Sequence, residues 1–292
     1  HRSADGAAVK RTKPRGQRAS VRRPRSVLVL KLGGELLESA ADLERTAAGI
    51  AGLAQHSPLV IVHGGGREID AALATAGIPK QQVDGLRVTD SRTLDVVVSV
   101  LAGAINTRLV AAPRAAGARP VGLTGADTSV VTVRRSPPIC SVTGVKVDLG
   151  LVGSPINNGT PRLLTDLLAC GYLPVVACVG ATRRGELLNV NADTLASHLA
   201  AELKARRLVI AGGTSGVLDD SGHTIDRLTG TAAARLVRAG TASKGMVAKL
   251  DACRAALRKG VGDVLIANGR DISYEKLADA SGPLPGCTWV VR

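Results

Sequence analysis

Six short apolar runs set at intervals along the chain restrict its fold more than any other feature. They are "SVLVLKL" (26–32), "PLVIVH" (58–63), "RPVGLT" (119–124), "LPVVACV" (173–179), "RRLVIA" (206–211) and "DVLIA" (263–267). All are rich in Val, Ile and Leu and lack polar alternation, which suits strands buried on both faces. Between them, stretches at 42–55, 67–77, 91–112, 161–171, 191–205 and 232–240 carry apolar residues three and four apart, as one face of a helix does. Strands alternating with helices predict an α/β chain with an open, mainly parallel sheet between helical layers, an αβα sandwich. Residues 130–160, with Pro137, Pro138 and several glycines, interrupt the pattern and read as irregular or hairpin structure, a flap over a site.

The 292 residues suffice for one large domain or two lobes. Phe is absent and Trp and Tyr are scarce, so Val, Leu, Ile and Ala must fill the interior. No apolar run reaches the roughly 18 residues of a membrane-spanning helix, so no membrane partner is expected. The five cysteines, Cys140, Cys170, Cys178, Cys253 and Cys287, contain no C-x-x-C pair. That pattern argues against a disulfide framework or a zinc site and predicts buried, reduced thiols in a soluble cytoplasmic protein.

The formal net charge of +14 is unevenly placed: residues 1–25 hold nine Lys or Arg and one Asp, leaving +6 for the rest. That segment lacks periodicity, contains Pro14 and Pro24, and reads as a disordered basic tail. Without aromatic residues for base stacking, a nucleic-acid partner is not expected.

In such a sheet, ligands bind at the carboxyl ends of the strands. Gly33-Gly34 follows the first run, and Gly64-Gly65-Gly66 follows the second and opens a helical stretch. Glycine lets backbone N–H groups approach an anion, and a helix N-terminus adds partial positive charge, so both loops suit phosphate. Neither the P-loop pattern nor G-x-G-x-x-G occurs, and either loop alone is equally well a tight turn. Lys31 stands just before the first loop, placing an ammonium at the crevice, and Lys249 lies in another helical stretch. Asp193, in the first turn of the helix after "NVN", is positioned to orient such lysines or to complement the helix dipole. Asn189 and Asn191 are candidate caps of that helix.

The segments "VLVLKLGGELLE", "VIVHGGG", "GLRVTDSRTLDVV", "VGLTGAD", "LLNVNADTLASHLA", "GMVAKL" and "ANGR" follow one another in the order seen in the amino acid kinase family. The chain resembles that family over nearly all of residues 26–291, and most closely the branch that phosphorylates the γ-carboxylate of N-acetyl-L-glutamate in arginine biosynthesis. The resemblance implies a homodimer, an amino-terminal lobe (26–180) that binds the acyl amino acid and dimerises, and a carboxy-terminal lobe (181–292) that binds ATP with Mg²⁺. It assigns the transferring phosphoryl group to Lys31, the backbone donors to Gly33, Gly34, Gly64 and Gly65, and the substrate α-carboxylate to Arg87. Asn189 is implied as a second substrate contact, Asp193 as the organiser of both lysines, and Lys249 as the lysine on the ATP side. A γ-carboxylate, with a reference pKa of about 4.3, is ionised at neutral pH and needs no general base.

Some positions depart from the family pattern. Arg67 and Glu68 follow the glycine triplet where relatives often have proline, adding charge beside the expected substrate entrance. Gly212-Gly213 stands where relatives commonly carry a Thr-Asp pair, and the carboxy-terminal "SYEKLADASGPLPGCTWVV" lacks the pattern of arginine-inhibited relatives, which implies an arginine-insensitive enzyme. A sibling kinase acting on N-succinylglutamate, N-acetylaminoadipate or a nucleoside monophosphate is the alternative, and a binding protein on a kinase scaffold is the non-enzymatic one.

Overall fold

The computed structural model describes residues 26–141, 143–239 and 244–292, and the expected basic tail lies outside them. Strand β1 (Leu28–Leu32) is followed by a 3-10 turn (Gly34–Leu36) and helix α1 (Ala40–His56), and β2 (Leu59–His63) by α2 (Gly66–Thr75). A hairpin of β3 (Gln82–Val83) and β4 (Leu86–Arg87) precedes α3 (Ser91–Val98), a π-helical stretch (Ser99–Ile105) and α4 (Asn106–Ala115). Strands β5 (Pro120–Thr124), β6 (Val133–Arg135), β7 (Ile139–Cys140), β8 (Lys146–Val147) and β9 (Val152–Pro155) come next, then α5 (Arg162–Ala169). After these come β10 (Leu173–Ala177), β11 (Val179–Ala181), β12 (Leu187–Val190), α6 (Ala192–Glu202) and β13 (Arg207–Gly212). The chain closes with β14 (Arg227–Thr229), α7 (Gly230–Ala239), α8 (Lys244–Arg258), β15 (Asp263–Asn268), α9 (Lys276–Asp279) and β16 (Cys287–Val291).

All six apolar runs enter one eight-stranded sheet of order β14-β16-β15-β13-β1-β2-β10-β5. Its pairings are parallel except β15 with β16, as the alternation of strands and helices predicts. Every residue of β1, β2, β10 and β13 is buried, which requires cover on both faces. Each fully buried Val, Leu or Ile there contributes about 1.5–3 kcal/mol relative to exposure. Strands β1, β2, β5 and β10 come from residues 26–180 and β13 to β16 from 181–292, so the two expected halves meet where β1 pairs with β13.

Three expectations change in the structure. The run 173–179 is not one strand: it ends in the main sheet at Ala177, turns at Cys178, and resumes as β11 in a second sheet of order β11-β12-β9-β6. Residues 130–160 contain the expected hairpin, β7 paired with β8, and in addition β6 and β9 join that second sheet. Gly150 ties this region to the segment after β4: its φ is +76°, it bridges to Thr89, and a Cβ would collide with the Thr89 carbonyl. Finally, Ser91–Ala115 is long and apolar enough to cross a membrane. In this fold its Leu94, Val97, Leu101, Ile105 and Leu109 belong to the core, and α4 packs along α1.

Candidate active site

A cavity of about 360 Å³ opens where the carboxyl ends of β1 and β2 meet the amino-terminal ends of α2 and α6. Its lining includes every expected site residue: Lys31, Asp193 and Lys249, the glycines Gly33, Gly34, Gly64 and Gly65, and Arg87 with Asn189. A cavity of similar volume, about 370 Å³, lies elsewhere between α1 and the stretch Gly171–Leu173, but its lining offers a single charged group, Arg119, already bonded to the Cys170 carbonyl.

Lys31 is the penultimate residue of β1. Its Nζ lies 2.9 Å from Oδ1 of Asp193, a buried ion pair. Asp193 takes its place because Asn191 caps α6, accepting from the Thr194 N–H at 3.0 Å. Burial alone pulls the Lys31 pKa down, but the Asp193 carboxylate more than offsets it, so the ammonium is held above its usual range. Asp193 was expected to organise both lysines; here it pairs with Lys31 alone, and Lys249, on α8, has no carboxylate within 4.0 Å among the described residues.

The two glycine loops pack against each other. A Cβ on Gly34 would come within 3.0 Å of the Gly65 Cα, so the loops are in backbone contact. The expected role of the glycines as donors needs correction. The N–H of Gly33 bonds Ala211 O at 2.8 Å and that of Gly64 bonds Leu32 O at 3.2 Å, both extending the sheet. Gly34, Gly65 and Gly66 make no such bonds and supply the available N–H groups, with the start of α2 adding its dipole.

Arg87 reaches the cavity from the β3–β4 hairpin, whose turn residues Asp84 and Gly85 both have positive φ. That Asp-Gly pair is the strongest short-range hairpin signal, and it was legible in the sequence but not used. The Arg87 Nη2 donates to Asp70, which Lys80 also binds, and to Gly66 O at 3.3 Å. Its Nη1 is buried and has no acceptor. Asn189 sits on β12 and does not cap α6; its Nδ2 donates to Thr89 Oγ1 at 3.2 Å.

Arg67 and Glu68 do not line the cavity. Arg67 turns outward to pair with Glu38 at 2.9 Å, and Glu68 tucks behind Gly34, where burial raises its carboxyl pKa.

Four contributing residues were not singled out from the sequence or were left without a role. His63, fully buried, bonds the Gly64 carbonyl through Nδ1 at 3.2 Å and accepts from Asn106 Nδ2 at 3.1 Å. Asn106 also donates to Val175 O, which identifies its amide nitrogen and leaves His63 protonated on Nδ1. Burial lowers the His63 pKa to about 4, so it is a neutral brace of the loop. Cys178 donates to His63 O at 2.9 Å, and burial pushes its thiol up to about 12. Glu35 lies between the glycine turns, its Oε1 accepting from the Gly213 N–H at 2.9 Å. Only a three-dimensional structure brings residues 35 and 213 together.

The profile of the amino acid kinase family matches residues 26–268. The chain is 41% identical over 243 residues to an acetylglutamate kinase of Solibacter usitatus, covering 83% of this chain and 91% of that one. It is 39% identical over 243 residues to an acetylglutamate kinase of Methanopyrus kandleri, covering 82% and 94%. Among solved structures, an N-acetylglutamate synthase of Neisseria gonorrhoeae with coenzyme A and N-acetyl-glutamate superposes with a TM-score of 0.77 at 26% identity. That alignment covers 91% of this chain and 59% of the synthase. A carbamate kinase of Giardia lamblia shares the fold, with a TM-score of 0.64 at 15% identity.

Proposed function

The chain belongs to the amino acid kinase family, and from that premise we propose that it transfers the γ-phosphoryl group of ATP to the γ-carboxylate of N-acetyl-L-glutamate, giving N-acetylglutamyl 5-phosphate for arginine biosynthesis. One observation carries the reading: a single cavity is lined by two lysines, by two glycine loops with free N–H groups and by Arg87, whose buried Nη1 has no acceptor. An orphaned buried donor is costly, and a substrate α-carboxylate would satisfy it.

In the reaction a γ-carboxylate oxygen forms a bond to the γ-phosphorus as the bond to the ADP oxygen breaks. The acceptor is already an anion, so no proton needs removal; His63 is neutral and inside the fold, and Cys178 stays a thiol. What remains is alignment and charge neutralisation. Arg87 and Asn189 hold the amino acid on the β12 and β4 side. Lys31, kept charged by Asp193, neutralises the phosphoryl oxygens in transit with the N–H groups of Gly34, Gly65 and Gly66, and Lys249 serves the departing ADP. On this reading residues 26–180 form the substrate lobe and 181–292 the ATP lobe, with the cavity at their seam.

Magnesium supplies charge neutralisation of the nucleotide phosphates. Among the described residues no cluster of three or more His, Cys, Asp or Glu is placed to hold a metal. The cavity does contain Glu35, a carboxylate without a cationic partner within 4.0 Å, and one or two carboxylates completed by phosphate oxygens make an ordinary magnesium site. The residues present therefore fit a magnesium ion carried by the nucleotide.

Homodimerisation is supported by the open sheet edge at β5 and, separately, by the half-buried Val96, Val98 and Val100 of the long helix. A cytoplasmic setting is supported by five unpaired cysteines, two of them exposed.

The test is hydroxylamine trapping of the acyl phosphate with Mg-ATP and N-acetyl-L-glutamate, comparing the protein with Lys31→Ala. Hydroxamate formed only by the unsubstituted chain supports the reading. Hydroxamate only from N-succinylglutamate or N-acetylaminoadipate reassigns the substrate, and none from any of them overturns the assignment.

A further inference from the structure

Glu35 occupies the place where two lobes and two lysines converge. Its Oε1 accepts from the Gly213 N–H at 2.9 Å, its carboxylate lies across the face of Gly33, and a Cβ on Gly212 would meet it at 3.0 Å. The same Gly212 position is 3.9 Å from Cε of Lys249, while Lys31 on the adjoining strand feels the Glu35 charge. Its main chain is anchored independently. Arg270 Nη2 donates to Glu35 O at 2.6 Å, and Arg270 Nε to Asp42 at 3.2 Å. The side chain is half-buried and held by that one bond, so it can turn while its backbone stays fixed.

The cavity lining contains two carboxylates, and Asp193 is neutralised by Lys31. Glu35 is therefore the lining carboxylate without an ion pair within 4.0 Å among the described residues, and it stands beside the ammonium groups that would receive a polyphosphate. Like charges at contact distance repel, and a hard divalent cation with oxygen ligands from both sides reverses the sign of that interaction. We propose that Glu35 makes nucleotide binding depend on the divalent cation: it opposes metal-free polyphosphate at the Gly33 and Gly213 turns and contributes an oxygen ligand when magnesium accompanies it. The proposal rests on the reading of this cavity as the nucleotide site. It also gives the side-chain-free Gly212-Gly213 pair a role, since the space it leaves is filled by Glu35 from the other half of the sheet.

The experiment is calorimetric titration of ADP, without acyl substrate, into the full chain and into Glu35→Gln, each with and without Mg²⁺. Glutamine keeps the acceptor for Gly213 and removes the charge, and matched melting temperatures establish that it folds. Magnesium should tighten ADP binding at least about tenfold more in the unsubstituted protein than in Glu35→Gln, the variant binding metal-free ADP more tightly and Mg-ADP less tightly. Glu35→Asp, which keeps the charge but retracts it, should retain part of the magnesium effect. An equal magnesium effect in the protein and Glu35→Gln, with binding intact, overturns the role of Glu35 alone. Failure of the unsubstituted protein to bind Mg-ADP overturns the nucleotide site and this proposal with it.

Discussion

Nζ of Lys31 and Oδ1 of Asp193 stand 2.9 Å apart with 8% of each side chain exposed, joining the central strand β1 to the first turn of α6. Either charge alone would be expensive there, so the pair fixes a cation inside the fold and leaves it facing the cavity. The position of Lys31 is therefore set by packing before any ligand arrives, which is what electrostatic stabilisation of a transition state requires.

Lys31→Ala should lower kcat by about 10²–10³-fold, the cost of losing one preorganised charge-stabilising group, with little loss of Mg-ADP affinity. Asp193→Asn leaves the Lys31 ammonium buried and unpaired, and should cost about 3–5 kcal/mol of stability in denaturant titrations at pH 7. Because Lys31 has its pKa raised on folding, the stability it contributes is present below its unfolded value and lost as pH rises through the folded one. Alkaline destabilisation above about pH 10.4 should thus be steeper in the unsubstituted protein than in Asp193→Asn. Equal slopes would contradict the pairing.

His63 predicts an acid-side effect of opposite origin. Its pKa falls from 6.5 unfolded to about 4 folded, so the unfolded chain binds the proton first. Stability is complete above pH 6.5 and declines as pH falls toward 4, by about 3 kcal/mol over that window. His198, also buried and lowered to about 4, adds to the same window. Unfolding titrations between pH 7 and 4 should show a shallower decline in His63→Gln, which cannot take up the proton.

Gly34→Ala should lower kcat severely while leaving the protein folded. Its Cβ would meet the Gly65 Cα at 3.0 Å, and backbone cannot swing aside as a side-chain tip can, so the two glycine loops must part. Gly66→Ala meets nothing within 4 Å and should leave the melting temperature unchanged or slightly raised. A fully active Gly34→Ala enzyme would show that contact of the loops is dispensable.

Asp263→Ala probes the carboxy-terminal half away from the cavity. Arg207, 2% exposed, is held by Asp263 through two bonds of 2.6 and 2.9 Å and lies 4.8 Å from the Trp289 ring centroid. Its removal should cost about 3–5 kcal/mol in unfolding free energy at neutral pH, with kcat per folded molecule retained. Asp263→Asn, which keeps one acceptor for the guanidinium, should cost less.

The central sheet was legible because each of its inner strands satisfies a local rule: a short Val, Ile and Leu run followed by a helical period has few other ways to bury both faces. The glycine loops and Lys31 were legible for the same reason, since the end of a strand in a parallel sheet specifies the side of the fold on which a residue emerges. The run through Cys178 misled because nothing local marks where a strand leaves one sheet for another. That break follows from the end of the β10 register at Ala177 opposite His63 and Thr124. The Asp84-Gly85 hairpin was overlooked for a different reason, its strands being only two residues each.

Residue order by itself therefore determined the layered α/β architecture, the strand ends that bear the site, and the set of cationic and glycine residues available there. Tertiary structure alone decided which charges are paired: Asp193 with Lys31 and not Lys249, Asp70 with Arg87 so that Nη1 is left free, and Glu35 across to Gly213. The physical reason is that hydrophobic periodicity acts between neighbours along the chain, whereas the energy of a charge depends on distances of a few ångströms and on burial. Both are set only when strands distant in sequence lie side by side.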